Sequence, residues 1–458
     1  MGNNTSYNEV YKKPGQPREL YKPLIEIVRG IGSGEFSKRE SAARECLRKL
    51  GATFPLPGSQ GEQERVLPAD WTPRIIPKDH WQKISSGILQ RGKAINAWLA
   101  DLYNGDQSVV PREIVESSVF YRDSPLPESC VDVPVHVYGP DLVHLGDGDY
   151  VVLEDNVRVP SGVGYSEALR KAGREIMGDL FEPYDVCKIG GYFDMICATM
   201  EAAAPPGVEN PCIAVVTRGE GDSAYFEHSR IAEACGFRLL TLGDCYVEDG
   251  EVRDLSDGQR IDVMYRRFDE DYIETDLPEL EDVYMSGKVS FANALGVGVA
   301  DDKAVFPYIP AMIEHYLAEE PILNNAPTYS LVESEGGGET LDRLEELVLK
   351  PREGSGGQGL LVGPESSAEE VEDARQNAKE DPVNFIAQET LDFSTHVLDE
   401  GRDGNIELAE AYIDLRAFVL PAVGYVMPGG LTRVANPGTR VVNSSAGGRI
   451  KDTWVLNA

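Results

Sequence analysis

The sequence predicts a mixed α/β protein of more than one unit, and three observations lead there. Strand-like runs CIAVVT, RLLTL and IDVMYRRF alternate with helical stretches between about residues 185 and 302, a pattern that argues a small, mostly parallel sheet. Two apolar runs divided by Gly146-Asp147-Gly148, in DLVHLGDGDYVVLEDN, have the pattern of a hairpin. The 458 residues, 41% of them apolar, suffice for two or three domains with sizeable cores.

The elements follow in order. Residues 1–80 carry Pro14, Pro17, Pro55 and Pro57 around one helical stretch near Leu20 to Leu50, and are expected to form an irregular cover. Ile84, Ile88, Leu89, Ile95, Trp98, Leu99 and Leu102 recur at helical spacing from Trp81 to Tyr103, and Gly105 supplies a stop. The hairpin and a helix over Glu167 to Leu180 complete a second segment, 81–184, and the alternating α/β unit a third, 185–302. The last, 303–458, runs through a helix near Ile309 to Leu317, strand LVLK, the glycine-rich turn PREGSGGQG, an acidic helix in ESSAEEVEDARQNAKED and strand FIAQET. YIDLRAFVL with VGYVMP is a second hairpin candidate.

Against 43 Lys plus Arg stand 77 Asp plus Glu, a net charge of −34. Such a field repels phosphate backbones and anionic lipids, which excludes non-specific nucleic-acid and membrane partners. Arg outnumbers Lys 28 to 15, so ammonium groups have largely given way to carboxylates, as in a halophilic protein kept soluble in concentrated salt, where charges are screened within about 3 Å at 1 M. The seven cysteines are scattered without a C-x-x-C pair, which predicts reduced, buried thiols and no zinc site. MGNNTSYNEVYKKPG lacks the apolar core of a signal peptide, and no stretch approaches the roughly 20 apolar residues of a membrane span. The expected location is the cytoplasm.

Three constellations carry candidate chemistry. The turn Gly354 to Gly359, with Ser355, Gly356 and Gly357, follows a strand ending in Lys350. Glycines let backbone N–H groups converge on an anion while the lysine adds a full charge, although the same residues suit a flexible surface turn. Glu154 and Asn156, two apart at a strand end, face one side, and Asp141 on the other arm can come beside them. These hard oxygens suit Mg²⁺ that also holds nucleotide phosphates; an acidic turn in an acidic chain is the alternative. Arg158, Pro160, Ser161 and Gly162 add a turn bearing a cation. Near the C-terminus, Arg416, Arg433 and Asn443 stand in a stretch poor in cations, and arginine binds phosphate or carboxylate in a bidentate way, although structural ion pairs, easily made in a chain with 77 acids, are the alternative. Arg266, Arg267, Asp269 and Asp271 end a strand of the α/β unit, where ligands often bind. Glu227-His228 is better read as a helix start with a packed histidine.

ADDKAVF, PTY, VLKPREGSGGQG, AQE, DLRAFV, TRVA and N-S-S-x-G-G occur in the order seen in ATP-grasp ligases, and LEDNVRVPSG resembles the metal motif that closes that series. Here it comes first, about 200 residues before the phosphate loop. The chain therefore resembles the circularly permuted type 2 ATP-grasp proteins, related to the ligase part of glutathionylspermidine synthetase. The resemblance implies a permuted ATP-grasp fold with a Rossmann-like unit ahead of the nucleotide lobes. It implies ATP and Mg²⁺ as cofactors, with Lys303 and Lys350 on the phosphates, Ser355 to Gly359 as the loop over them, and Gln388 and Glu389 at the adenine edge. Asp141, Glu154 and Asn156 would hold magnesium. Arg416, Arg433 and Asn443 would steady the transferred phosphoryl group, and Arg158 and Ser161 would line the acceptor side. Gly139 departs from the pattern: D-alanine ligases carry an arginine there, so transition-state charge must be met by Arg158, Arg416 or Arg433. The activity implied is ligation of a small-molecule or peptide carboxylate to an amine or thiol through an acyl phosphate, with a kinase or a silent nucleotide-binding scaffold as alternatives.

Overall fold

The computed structural model describes residues 6–55, 64–130, 132–332, 334, 336–354, 359–399, 408–442 and 448–457. The N-terminal helical stretch is two helices, α1 (Lys22–Ile31) and α2 (Ser33–Lys49), parted at Gly32, whose φ of 76° leaves the helical region. Strand β1 (Ala69–Ile76) follows, then the long helix α3 (Lys78–Asn104), which ends at Gly105 as its periodicity predicts. The first 80 residues are more than an irregular cover, because β1 is an edge strand of the largest sheet, parallel to the last strand of the chain. Its residues from Trp71 to Ile76 are buried there, Arg74 among them paired with Glu9, and this long-range strand pairing is one that local turn formers do not reveal.

The predicted hairpin forms from β2 (Gly139–Gly146) and β3 (Asp149–Asn156) and turns through Asp147 and Gly148, both at positive φ. Helix α4 (Val163–Ile176) leads to α5 (Gly191–Ala202) and into the α/β unit: β4 (Ile213–Val216), α6 (Tyr225–Cys235), β5 (Arg238–Leu240), β6 (Val263–Arg266) and β7 (Ser290–Ala292). Its four strands are all parallel in the order β7-β6-β4-β5. The central strands are buried throughout, as expected of a parallel sheet covered on both faces. The order reverses between β4 and β6, so the crevice at their carboxyl ends is the switch point of this unit. One cysteine expectation fails: α5 and α6 bring the Cα atoms of Cys197 and Cys235 to 5.5 Å, where they form a disulfide across 38 residues.

The C-terminal part begins with β8 (Asn324–Asn325) and then builds β9 (Thr328–Ser330), β10 (Leu347–Pro351), β11 (Leu361–Val362), helix α7 (Ala368–Glu380) and β12 (Phe385–Glu389). These strands form an antiparallel sheet in the order β9-β12-β10-β11. The reciprocal Ser367 and Glu370 capping box starts α7. Strands β13 (Thr395–Asp399), β14 (Leu408–Arg416), β15 (Leu431–Val434) and β16 (Arg449–Val455) return to the main sheet.

That sheet runs β8-β3-β2-β14-β15-β16-β1, with β13 also paired to β14. The second hairpin candidate shrinks to a pairing of Val419–Leu420 with Tyr425–Val426, because β14 is taken up by β2 and β15. Antiparallel pairs Leu142↔Leu415 and Asp141↔Arg416 thus join two parts of the chain that lie far apart in sequence. Among the described residues, no helix is long and apolar enough to cross a membrane.

Candidate active site

The main sheet, the four-stranded antiparallel sheet and the carboxyl ends of the parallel sheet surround one cavity of about 690 Å³. Strand alternation decides which side chains enter it. In LVLKP, Leu347 and Leu349 are buried in the lobe's core, and Val348 and Lys350 face the cavity. Gln388 stands opposite Val348 in the register and reaches the same space. On the main sheet, Glu154 lies opposite Asp141, Asp141 opposite Arg416, and Asp414 opposite Arg433. A row of charged side chains, the neighbouring carboxylates of Glu154 and Asp141 and then the arginine–carboxylate pairs, therefore crosses four strands on the face that lines the cavity.

Each charge in this row has a partner. Arg416 grips Asp141 with two N–H groups at 2.7 and 2.6 Å. Arg433 bridges the same carboxylate, at 2.9 Å, and that of Asp414, at 2.9 and 2.5 Å. Burial pushes the Asp141 carboxyl up, but Arg416 and Arg433 outweigh it and hold the group at about 2. In Asp414 burial prevails over Arg433 and the carboxyl is raised. Asn156 donates its amide N–H to the Gly139 carbonyl at 3.0 Å and to Asp141 Oδ2 at 3.5 Å.

Lys303 spans the lobes: its ammonium lies 3.0 Å from Glu154 Oε1 and donates to the Gly354 carbonyl at 3.1 Å. Lys350 donates to Gln388 Oε1 at 2.7 Å. Desolvation by burial, with Lys303 nearby, lowers the Lys350 pKa to about 8, against the pull of Glu154 and Asp141. Gln388 in turn donates to Thr328 Oγ1 at 2.9 Å, and Glu389 accepts from Tyr329 and Arg343, each at 2.9 Å. Nine Lys and Arg side chains line the cavity against seven Asp and Glu, the reverse of the chain's balance. An anionic ligand is what such a lining favours.

The opposite end belongs to the 158–162 turn and the α/β unit. Arg158 lies between Asp301, at 2.8 Å, and Asp269, at 3.2 Å, with its guanidinium over the Phe120 ring. Buried Arg267 donates to the Pro160 carbonyl at 2.9 Å and to Ser161 Oγ, and pairs with Glu227 at 3.4 Å. Glu227 accepts the N–H groups of Gly162 and Gly164 at 2.7 and 2.8 Å, which fixes the start of α4. Gly162 sits at φ 130°, and a Cβ there would press on Phe418 and Leu431 at 3.0 and 3.1 Å. Glu227 therefore shapes the wall and His228, bonded to Thr217 at 2.8 Å, packs beside it, as the helix-start reading has it.

The predicted residues do not all gather. Arg266 is turned away: buried beneath the crevice, its guanidinium donates to the carbonyls of Phe268, Asn293 and Ala294 and does not line the cavity. It is the last residue of β6, whose alternation sends Arg267 to the opposite side. Ser355, Gly356, Gly357 and Asn443 lie outside the described residues, while Gly359 is described at φ 71°, against Pro351. A Cβ on Gly139 would meet Pro160 Cβ at 2.7 Å, so no arginine fits there. Arg218, Arg352 and Arg440 line the cavity without having been singled out. Arg218 is the second residue after β4, and its place at a parallel strand's carboxyl end is the available signal. Arg440, held by Glu365 and Asp392, lies in a loop with no local pattern. Among the described residues, no three His, Cys, Asp or Glu side chains form a metal-holding group.

The family model for circularly permuted ATP-grasp type 2 proteins matches residues 73–435. The chain belongs to that family. An uncharacterized protein of Synechocystis sp. is 38% identical to this ATP-grasp protein over 98% of the chain and 97% of its own length. A Frankia casuarinae protein provisionally named glutamate–cysteine ligase 2-2 is 35% identical over 98% of the chain, which spans 54% of that relative. A solved structure of a glutathione synthetase-like effector from Globodera pallida shares the fold, with a TM-score of 0.58, 12% identity, and coverage of 92% of this chain and 96% of that one. The fold is the circularly permuted ATP-grasp fold, with its halves joined at the β2–β14 pairing.

Proposed function

We propose that this protein is an ATP- and Mg²⁺-dependent ligase that joins a carboxylate to an amine or thiol through an acyl phosphate. Family membership supports an ATP-dependent ligase in general, and the name given to the Frankia relative points the same way. The observation that carries the finer reading is the convergence of Lys303, Lys350, Arg416 and Arg433 on one cavity. Positive charge gathered in a partly buried site suits a triphosphate and the charge that shifts during phosphoryl transfer.

The side chains divide the work. Lys303 and Lys350 would hold the phosphates, with Gln388 and Glu389 at the base edge. Arg416 and Arg433, kept in place by Asp141 and Asp414, would meet the phosphoryl group as it passes to the substrate carboxylate. A magnesium nucleotide needs only one or two protein carboxylates. Glu154 and Asn156, with Asp141 behind them, fit that requirement by donor chemistry, and the metal when bound offsets phosphate charge. Substrate carboxylate oxygen attacks the γ-phosphorus and ADP leaves; the amine or thiol then attacks the acyl carbon, phosphate leaves, and one proton passes to solvent. Holding the reactants in line supplies the rate, and no enzyme nucleophile is required.

The test is product analysis of the full chain with ATP, Mg²⁺ and pools of carboxylates and amines, with hydroxylamine as a trap. The reading predicts ADP, phosphate and a hydroxamate. A stable phosphorylated product without an amine requirement would favour a phosphotransferase instead.

A further inference from the structure

The crevice at the switch point of the parallel sheet holds a cation that the ATP site does not use. Arg218, the second residue after β4, is exposed, lines the cavity and rests its guanidinium 4.5 Å from the centre of the Tyr272 ring. Among the described residues it makes no ion pair, whereas Arg158, Arg267, Arg352, Arg416, Arg433 and Arg440 each have a carboxylate partner. Stacking on an aromatic face orients a guanidinium and leaves its N–H fork open for a planar anion.

Two carboxylates share this crevice. Asp222 also lines it, and its Oδ1 accepts the Ala224 N–H at 2.8 Å. Asp269, its side chain half exposed, shares Arg158 with Asp301 at 3.2 Å. The acids lie on the loops that follow β4 and β6, on either side of the switch point.

We infer that this crevice binds an amino acid or short peptide as a zwitterion, with Arg218 anchoring its carboxylate and Asp222 and Asp269 receiving its ammonium group. The inference rests on the ligase reading and deepens it by naming the substrate class. A polyamine would leave Arg218 unmatched and repelled. A simple dicarboxylate would set a second negative charge against Asp222 and Asp269. Only a ligand carrying both signs satisfies both sets.

The experiment is calorimetric titration of the full chain with L-alanine, L-glutamate, their α-carboxamides and spermidine, alongside ADP-release assays with the same compounds. The inference expects an amino acid to bind at least tenfold more tightly than its amide. It also expects Arg218→Gln to lose at least tenfold in that affinity, with partial recovery in Arg218→Lys, while the thermal shift given by ATP persists in both variants. Equal binding of acid and amide, preference for spermidine, no binding of any amino acid, or no effect of R218Q would each overturn it. Arg218-dependent binding without ADP release would sink the ligase reading and leave the crevice assignment standing; ADP release indifferent to Arg218 would do the reverse.

Discussion

Asp141 and Arg416, 275 residues apart, face each other across two paired strands, with both carboxylate oxygens taken by one guanidinium. This contact joins the two halves of the permuted domain and also fixes an arginine in the cavity. The joining of the two halves and the placement of a cavity-lining cation therefore meet in a single pair.

Asp141→Asn removes the charge that Arg416 and Arg433 share. Breaking one side of a buried pair costs about 3–5 kcal/mol, so urea unfolding should show a clear fall in midpoint. The wild-type carboxyl is held at about 2, below its ordinary value of 3.8. A carboxyl lowered on folding adds stability that is complete above the ordinary value and is lost as pH falls towards 2. The stability difference between wild type and D141N should shrink over that interval.

Lys350 should make nucleotide binding draw protons from solution. Burial lowers its pKa to about 8, so near pH 8 about half of the free protein carries it neutral. A triphosphate beside it restores the charged form. Calorimetric ATP titrations at pH 8.5 in buffers of different ionisation enthalpy should report proton uptake, which Lys350→Met abolishes. In the free protein the same lowered pKa costs stability below about pH 8, relieved as pH rises towards 10.5.

Lys303→Met and Lys350→Met should each weaken ATP binding by about tenfold to a hundredfold, as expected for one charge-assisted hydrogen bond worth roughly 1.5–3 kcal/mol. Competition against a fluorescent ATP analogue measures it. Lys303→Met also frees Glu154, so its loss should include a change in Mg²⁺ dependence that Lys350→Met lacks.

Gly139→Ala should destabilise the protein by about 1–3 kcal/mol, because its methyl group meets Pro160 at 2.7 Å and packed interiors resist added carbon. Thermal unfolding measures it. An unchanged midpoint would show that Pro160 can yield and that the position could hold a larger side chain.

What was legible in the sequence was mostly what is local or ordered. The β2–β3 hairpin, α3 and the alternating unit follow from periodicity, and the order of short motifs pointed to the permuted family that the family model then matched. Pairings distant in sequence left no local trace: β1, joined at the sheet edge to the last strand of the chain, and the Cys197–Cys235 bond, across 38 residues, emerge only from packing. Arg266 and Arg267 show the limit at the site. Both are arginines at one strand end, and a period of two separates a buried brace from a residue that reaches the cavity. Arg218 was missed because a single exposed arginine carries no pattern until the switch point shows where it stands.

The most direct test follows oxygen. With the substrate carboxylate labelled with ¹⁸O, single-turnover reactions with ATP and Mg²⁺ and analysis of the phosphate products should place one label in inorganic phosphate alongside ADP, because an acyl phosphate hands a carboxylate oxygen to phosphorus. Unlabelled phosphate, or AMP and pyrophosphate as products, would contradict the acyl-phosphate ligase.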